Sequence, residues 1–224
     1  MYKDYNLEFD EEVARNFDIH VRKSVQMYEE FHELISKMSK FFIEDDTNVL
    51  DIGTSTGELL KKLVCPNRNC KYIGIDNKVA MVNKAIEKLG DEFFIENIDI
   101  KDYKISNCSV ITMVLVLQFL KISDRQNVIN KIYSALNKGG AFFFVDKIRT
   151  ENVIINDIYN DLYYDFKLRK GLNSHEILQK NRSLRGIQKT MSLDENLNII
   201  KKAGFNTIDI FMKYNNFIGI LAIK

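Results

Sequence analysis

The sequence VLDIGTSTG (residues 49–57) runs from a short apolar segment into a turn that contains two glycines. Gly53 has no side chain, so the backbone can approach a ligand closely there, and Gly57 allows a following helix to pack near the turn. Asp51 adds a carboxylate at the end of the apolar segment. Ser55 stands where the G-x-G-x-x-G nucleotide fingerprint has glycine. The pattern is typical of a strand that turns into a helix beside a ligand, although an ordinary strand-to-helix turn also explains it.

On both sides of this stretch, apolar segments alternate with segments of helical periodicity. Strands are predicted at residues 48–52, 72–75, 93–96, 110–116 and 141–146, and helices at 57–64, 79–89 and 125–136. The last of these helices is predicted to end at the capping sequence Asn137-Lys138-Gly139-Gly140. Strands separated by helix-length segments indicate βαβ units and a parallel sheet.

The two ends of the chain depart from this alternation. Residues 10–42 predict one or two helices ahead of the sheet, 151–182 are helical, and 193–203 form a helix that Gly204 ends. Strands at 207–212 and 217–223, joined by 213–216, predict an antiparallel element. We therefore predict an α/β, Rossmann-like doubly wound fold. Its seven-stranded sheet is mostly parallel, with an antiparallel C-terminal hairpin strand and extra N-terminal helices. Residues 1–224 form a single domain, with N-terminal helices over 1–45 and a helical insertion over the active site at 148–190.

Further polar residues follow the predicted strands at their carboxyl ends, where an open α/β sheet binds its ligand. Asp76 ends the second strand, 25 positions after Asp51 in the sequence. That is close to the roughly 20-residue spacing at which a carboxylate accepts hydrogen bonds from ribose hydroxyls. Asp99 follows the third strand, where it is placed to accept a hydrogen bond from an adenine amino group, with the Ile100 backbone beside it. Each residue alone is also consistent with a solvated strand-end turn.

Composition limits the class of protein. The chain has 224 residues, 46% of them hydrophobic, and a formal net charge of +1, which argues against a surface that neutralises many phosphates. Three cysteines form no disulfide framework, and the spacing of Cys65 and Cys70 favours two thiols in a loop over a metal site. The N-terminus lacks the pattern of a signal peptide, and no apolar run has the length of a membrane span. We expect a cytoplasmic protein with a small-molecule substrate, and no metal, nucleic acid or membrane partner.

Several segments carry a more specific likeness. The chain resembles the carboxy-S-adenosyl-L-methionine (carboxy-SAM) synthase family, within the class I SAM-dependent methyltransferases. The likeness extends over roughly residues 9–224 and rests on the segments 9–14, 23–28, 75–77, 117–120, 165–167, 176–180 and 202–205. Members of that family use SAM and prephenate to make carboxy-SAM, through attack of a sulfonium ylide on carbon dioxide. The resemblance also implies a homodimer.

The resemblance implies a set of cofactor-binding residues. Tyr28 would reach over SAM from the N-terminal helices, while other residues would line the turn, hold the ribose and hold the adenine. With Asp51 and Gly57 from the glycine turn and Val114 from the end of the fourth strand, the predicted cofactor-binding set is Tyr28, Asp51, Gly53, Thr54, Ser55, Gly57, Asp76, Asn77, Asp99, Ile100 and Val114.

Two positions depart from the family pattern. Val114 stands where the family has a ligand-contacting Asn, and Asn181 stands where it has an Arg that binds the added carboxylate. An amide cannot replace the charge of a guanidinium. Arg182 is one position later, which on a helix turns the side chain by about 100°. The candidate substrate-binding residues are Arg182 and Tyr164, and no catalytic residue is assigned.

Three functions therefore stay open. The first is a SAM-dependent methyltransferase that acts on a small molecule or pathway intermediate. The second is the carboxy-SAM synthase itself, and the third is a non-catalytic SAM-binding protein. Asp51, Gly53 and Asp76 together argue against the third function.

Other groups of residues have two interpretations each. The aromatic segment 159–167 is either a wall over the acceptor pocket or the packed face of a helix. The basic residues between 167 and 185 are either a patch for an anionic substrate or a solvated helix face, and the latter is favoured; they are Lys167, Arg169, Lys170, Lys180, Arg182 and Arg185. The three histidines are scattered in the sequence and are interpreted as surface or hydrogen-bonded polar residues.

Overall fold

The computed structural model describes residues 11–224, and they form one seven-stranded sheet in the order β3-β2-β1-β4-β5-β7-β6. The sequence likeness at residues 9 and 10 lies outside the described residues. Strand β7 is antiparallel to both of its neighbours, and all other pairs are parallel. The predicted fold class is therefore confirmed. The strands are β1 (Asn48–Ile52), β2 (Lys71–Asp76), β3 (Phe94–Asn97), β4 (Cys108–Val114), β5 (Leu136–Lys147), β6 (Thr207–Tyr214) and β7 (Phe217–Ile223).

Helices precede the sheet, connect its strands and follow β5. In chain order they are α1 (Glu11–Ser24), α2 (Tyr28–Ser39), α3 (Glu58–Leu63), α4 (Val79–Leu89), α5 (Ile122–Ala135), α6 (Val153–Arg169), α7 (Ser174–Leu184) and α8 (Leu193–Ala203). Among these helices none is long and apolar enough to cross a membrane. Gly204, in a left-handed conformation, ends α8 as predicted.

The central strands are buried on both faces, as expected for parallel strands covered by helices. Alternate residues of a strand point to opposite faces, so each strand contributes to two apolar clusters. Along β5, Phe142 and Phe144 pack into one cluster, and Phe143 and Val145 pack into the other. This rigid core fixes the carboxyl ends of the strands.

The cap predicted for α5 is wrong. The helix ends at Ala135, and β5 begins at the next residue, so the Gly139-Gly140 pair lies inside a strand rather than in a helix cap. Strand β5 pairs with β4 at Leu136 and again from Ala141, with a register shift between them. The residues between these pairs form a bulge, and Gly139 adopts the positive φ of +83° that such a bulge accommodates. The glycines that suggested a helix cap in the sequence therefore belong to this bulge.

An ion-pair network joins the N-terminal helices to α3 and α4. Glu58 accepts hydrogen bonds from Arg22 of α1 and from Lys88 of α4. Lys88 also donates to Asp18 at 2.8 Å, and Arg22 also pairs with Glu29 of α2. The network holds α1 and α2 over the carboxyl ends of β1 and β2.

Candidate active site

A cavity of about 830 Å³ opens above the carboxyl ends of β1, β2 and β4. Residues from α1, α6 and α7 complete its walls. The volume lies within the range of small-molecule sites, about 300–1,000 Å³. The position is the one at which open α/β sheets bind their ligands.

The turn after β1 forms one side of the cavity. The backbone N–H groups of Gly53 and Thr54 both donate to the carbonyl oxygen of Ile75, at 2.8 and 3.0 Å. Gly53 has a φ of +72°, and a Cβ placed there would lie 2.2 Å from Cγ2 of Val116. The backbone at this point therefore leaves no space for a side chain, and the bare turn faces the cavity beside the end of β2.

Asp76, at the end of β2, is fixed by backbone donors. Its Oδ2 atom accepts from the N–H of Ser55 at 3.0 Å, and its Oδ1 atom accepts from the N–H of Lys78 at 2.9 Å. Burial raises the pKa of Asp76, and these N–H groups oppose the shift. A carboxylate has about four acceptor positions, so Asp76 keeps acceptor capacity for the hydroxyls of a ribose.

Asp51 lies buried at the end of β1. It accepts a hydrogen bond from the Thr112 hydroxyl at 2.5 Å, and burial raises its pKa to about 6. A cation placed in the adjacent cavity would favour the charged carboxylate and offset the cost of its burial. SAM carries an ammonium and a sulfonium, so the chemistry of Asp51 fits this ligand.

Other members of the predicted cofactor set also line the cavity, namely Tyr28, Thr54, Ser55, Asn77, Asp99, Ile100 and Val114. Asp99 accepts from the N–H of Lys101 at 2.9 Å, and the carbonyl of Ile100 accepts from Lys131 at 3.0 Å. These contacts fix the loop after β3 at the end of the cavity where an adenine would lie.

Three predicted residues do not line the cavity. Gly57 precedes α3, and a Cβ there would lie 2.5 Å from Cδ1 of Leu89, so the missing side chain allows α3 and α4 to pack closely. Arg182 is exposed on α7. The Tyr164 hydroxyl accepts a hydrogen bond from Asn181 at 3.1 Å on the outside of α6 and α7. The geometry thus gives Arg182 and Tyr164 no contact with the proposed ligand.

The interpretation of the histidines is wrong for His32, which is buried with a ring nitrogen that is unpaired within the described part of the chain, and both His32 and His20 line the cavity. His32 is buried, and its ring centroid lies 4.1 Å from that of Tyr28. Burial lowers the pKa of His32 to about 3. Its Nδ1 atom has no hydrogen-bond partner among residues 11–224. His20 also lines the cavity, and burial lowers its pKa. Sequence spacing could not reveal this, because α1 and α2 reach the site through packing.

The favoured interpretation of the basic residues was wrong for two of them. Lys167 and Lys180 line the cavity, and Lys167 is only 3% exposed, whereas Arg169, Lys170, Arg182 and Arg185 are exposed. Lys147, which the sequence did not single out, joins them from the end of β5. Tyr163 is the residue of the aromatic segment that lines the cavity. Two features of the sequence could have indicated these cavity residues. Lys147 lies at the carboxyl end of a strand, and Tyr163 and Lys167 have the i,i+4 spacing that places them on one face of a helix.

The strand order and the glycine turn against Asp76 are those of a class I SAM-binding fold, and with the relatives that follow they make this protein a SAM-dependent transferase. A family model described as a methyltransferase domain matches residues 50–142. In structure the chain resembles phosphoethanolamine N-methyltransferase 2 of Haemonchus contortus in complex with SAM, with a TM-score of 0.66 at 13% identity. That alignment covers 100% of this chain and 60% of the other.

Full-length sequence relatives define the family. The chain is 44% identical over 216 residues to the carboxy-SAM synthase of Staphylococcus epidermidis, covering 96% of this chain and 95% of the relative. It is 36% identical over 220 residues to the carboxy-SAM synthase of Nautilia profundicola, covering 97% of this chain and 94% of the relative. The chain belongs to the carboxy-SAM synthase family.

Proposed function

We propose that this protein is a carboxy-SAM synthase, which transfers a carboxyl group to the methyl carbon of SAM. The observation that carries this proposal is the 44% identity to a synthase over 96% of the chain. A likeness of that extent includes most of α6 and α7, which cover the cavity, and is not confined to the core that methyltransferases share.

The cavity residues divide the binding of SAM among them. The remaining acceptor capacity of Asp76 would take the ribose hydroxyls, and the fixed loop at Asp99 and Ile100 would take the adenine. The buried carboxylate of Asp51 would face the cationic amino-acid end. Bound in this way, SAM supplies an activated methyl group, and the protein contributes orientation and exclusion of water.

Incubation with SAM and prephenate, followed by mass analysis of the nucleoside products, tests the proposal. We expect a SAM-derived product that is heavier by the mass of one carbon dioxide. A control without prephenate should yield none. If a folded sample that binds SAM leaves SAM unchanged in the presence of prephenate, the assignment is contradicted.

Methyl transfer is the second candidate, and the departures at Val114 and Asn181 favour it. A methyltransferase needs no cation for an added carboxylate, so the missing Arg at 181 would be without consequence. The same assay separates the two functions, because only the synthase adds carbon dioxide to SAM in the absence of a methyl acceptor. Methyl transfer converts SAM to the demethylated nucleoside S-adenosylhomocysteine, whereas the synthase leaves the methyl carbon on sulfur.

Four further expectations accompany this proposal. Resemblance to the family supports a homodimer, and the near-neutral net charge supports a small-molecule substrate without direct contact to nucleic acid. Cytoplasmic location stays a prediction. So does the division of one domain into N-terminal helices, sheet and helical insertion.

A further inference from the structure

Two lysines reach the cavity over the same aromatic ring. Nζ of Lys147, at the end of β5, lies 4.3 Å from the ring centroid of Tyr163, and Nζ of Lys167 lies 4.1 Å from it. The Tyr163 hydroxyl donates to the carbonyl of Ser24 at 2.6 Å, which fixes the ring. Strand β5 and helix α6 thus bring two ammonium groups to one wall of the site.

Neither ammonium has an acidic partner among residues 11–224. No ion pair joins Lys147 or Lys167 to a carboxylate, although Glu176 lines the same cavity. The charged groups that act on Lys167 are Lys147 and Lys180, and both lower its pKa. The wall therefore carries an excess of positive charge.

Burial makes this arrangement costly in the absence of a ligand. It lowers the pKa of Lys147 to about 8, and burial together with the neighbouring lysines lowers that of Lys167 to about 7. A cation–π contact recovers only part of the lost hydration of an ammonium group. An anion in the cavity would recover more, because a charge-assisted hydrogen bond favours the protonated lysine.

We propose that Lys147 and Lys167 form a carboxylate-binding subsite of the SAM cavity. The proposal rests on the proposed function for the identity of the ligand, which is either the carboxylate of the carboxyl donor or the carboxylate added to SAM. The subsite would supply the positive charge that Asn181 lacks, from β5 and α6 rather than from α7.

Binding measurements with matched variants test the subsite. Calorimetric titrations with SAM, carboxy-SAM and prephenate are carried out on the wild type and on Lys167→Met, which retains the apolar stem and removes the charge. Lys170→Met is the control, because Lys170 lies on the same helix, contacts the Phe166 ring at 5.7 Å and is exposed outside the cavity. Lys147→Met repeats the test from strand β5 if Lys167→Met does not fold.

We expect Lys167→Met to lose about tenfold or more in affinity for at least one carboxylate ligand, with SAM affinity within about twofold of the wild type. Loss confined to prephenate assigns the subsite to the donor, and loss confined to carboxy-SAM assigns it to the product. Unchanged affinities overturn the proposal. An equal loss for SAM also overturns it, because SAM and carboxy-SAM share the methionine carboxylate.

Turnover separates this proposal from the proposed function. If the wild type binds carboxy-SAM through the two lysines but forms none from SAM and prephenate, the subsite stands and the synthase assignment fails. If the wild type forms carboxy-SAM and Lys167→Met and Lys147→Met bind every ligand normally, the synthase assignment stands and the subsite fails.

Discussion

The carboxylate of Asp76 accepts a hydrogen bond from the backbone N–H of Ser55 at 3.0 Å. This bond joins the end of β2 to the turn after β1, so the two halves of the nucleoside site are held in one geometry. The bond also gives Asp76 two tasks, since one carboxylate both fixes the turn and faces the cavity.

The double task makes Asp76→Ala an informative substitution. We expect it to weaken SAM binding by about tenfold or more, because hydrogen bonds to a charged group contribute about 1.5–3 kcal/mol. Asp91→Ala, at an exposed position outside the cavity, is the control. Calorimetry with a thermal-unfolding scan checks both, and normal affinity in folded Asp76→Ala would exclude the ribose role.

Gly53→Ala tests the bare turn. We expect a loss of stability of about 1–3 kcal/mol and strongly impaired SAM binding, because the new Cβ would lie 2.2 Å from Val116 and the φ of +72° disfavours a side chain. Gly139→Ala has the same kind of backbone strain, at φ +83°, with nothing within 4 Å of the new Cβ. It should lose stability from strain alone and keep its affinity. If Gly53→Ala and Gly139→Ala change the affinity for SAM equally, SAM does not approach the backbone closely at Gly53.

Glu58→Gln tests the network that holds α1 over the cavity. Its side chain is 17% exposed and joins Arg22 to Lys88, so we expect the free energy of unfolding to fall by about 1–2 kcal/mol and hydrogen exchange in α1 to increase. Glu33→Gln removes an exposed i,i+4 pair with Lys37 and should change the stability much less than Glu58→Gln does. Unaltered exchange in α1 of Glu58→Gln would mean that apolar packing alone positions the helix.

The pH dependence follows from the pKa of Lys167, which is lowered to about 7 from its ordinary 10.5. A bound carboxylate favours the charged lysine, so binding takes up protons above pH 7, and carboxylate affinity falls as the pH rises. In the absence of ligand, the stability of the folded chain has the opposite pH dependence. The unfolded chain binds this proton more tightly, so Lys167 makes stability rise with pH from about 7 towards 10.5.

Calorimetry of carboxy-SAM binding in buffers of different ionisation enthalpy measures the proton uptake. Lys170→Met should retain the uptake and Lys167→Met should reduce it. Proton release on binding, or an affinity for carboxy-SAM that rises with pH, would be incompatible with a charged Lys167 in the complex.

Much of the fold was predictable because its signals are local. Short apolar strands, helical periodicity and the glycine turn marked the units, and the geometry of parallel sheets then placed Asp51, Asp76 and Asp99 at one edge. The end of α5 was missed because Gly139 and Gly140 signal a break in regular structure without distinguishing a helix cap from a bulge.

The walls of the cavity were less predictable. Lys147, Tyr163 and Lys167 meet only when α6 packs against the end of β5, and His32 reaches the site only through the packing of α2. In the sequence, Lys167 looks like its neighbours Arg169 and Lys170, and burial alone separates it from them. Tertiary packing, rather than residue type, decides which of these charges face the ligand.

A crystal structure of the protein soaked with SAM shows whether the nucleoside binds where we propose. We expect density for the nucleoside beside the turn at Gly53, with the ribose hydroxyls on Asp76, the adenine at Asp99 and the methyl group directed towards Lys147 and Lys167. Ordered SAM elsewhere on the protein, or a cavity that stays filled only with solvent at saturating SAM, would contradict this expectation.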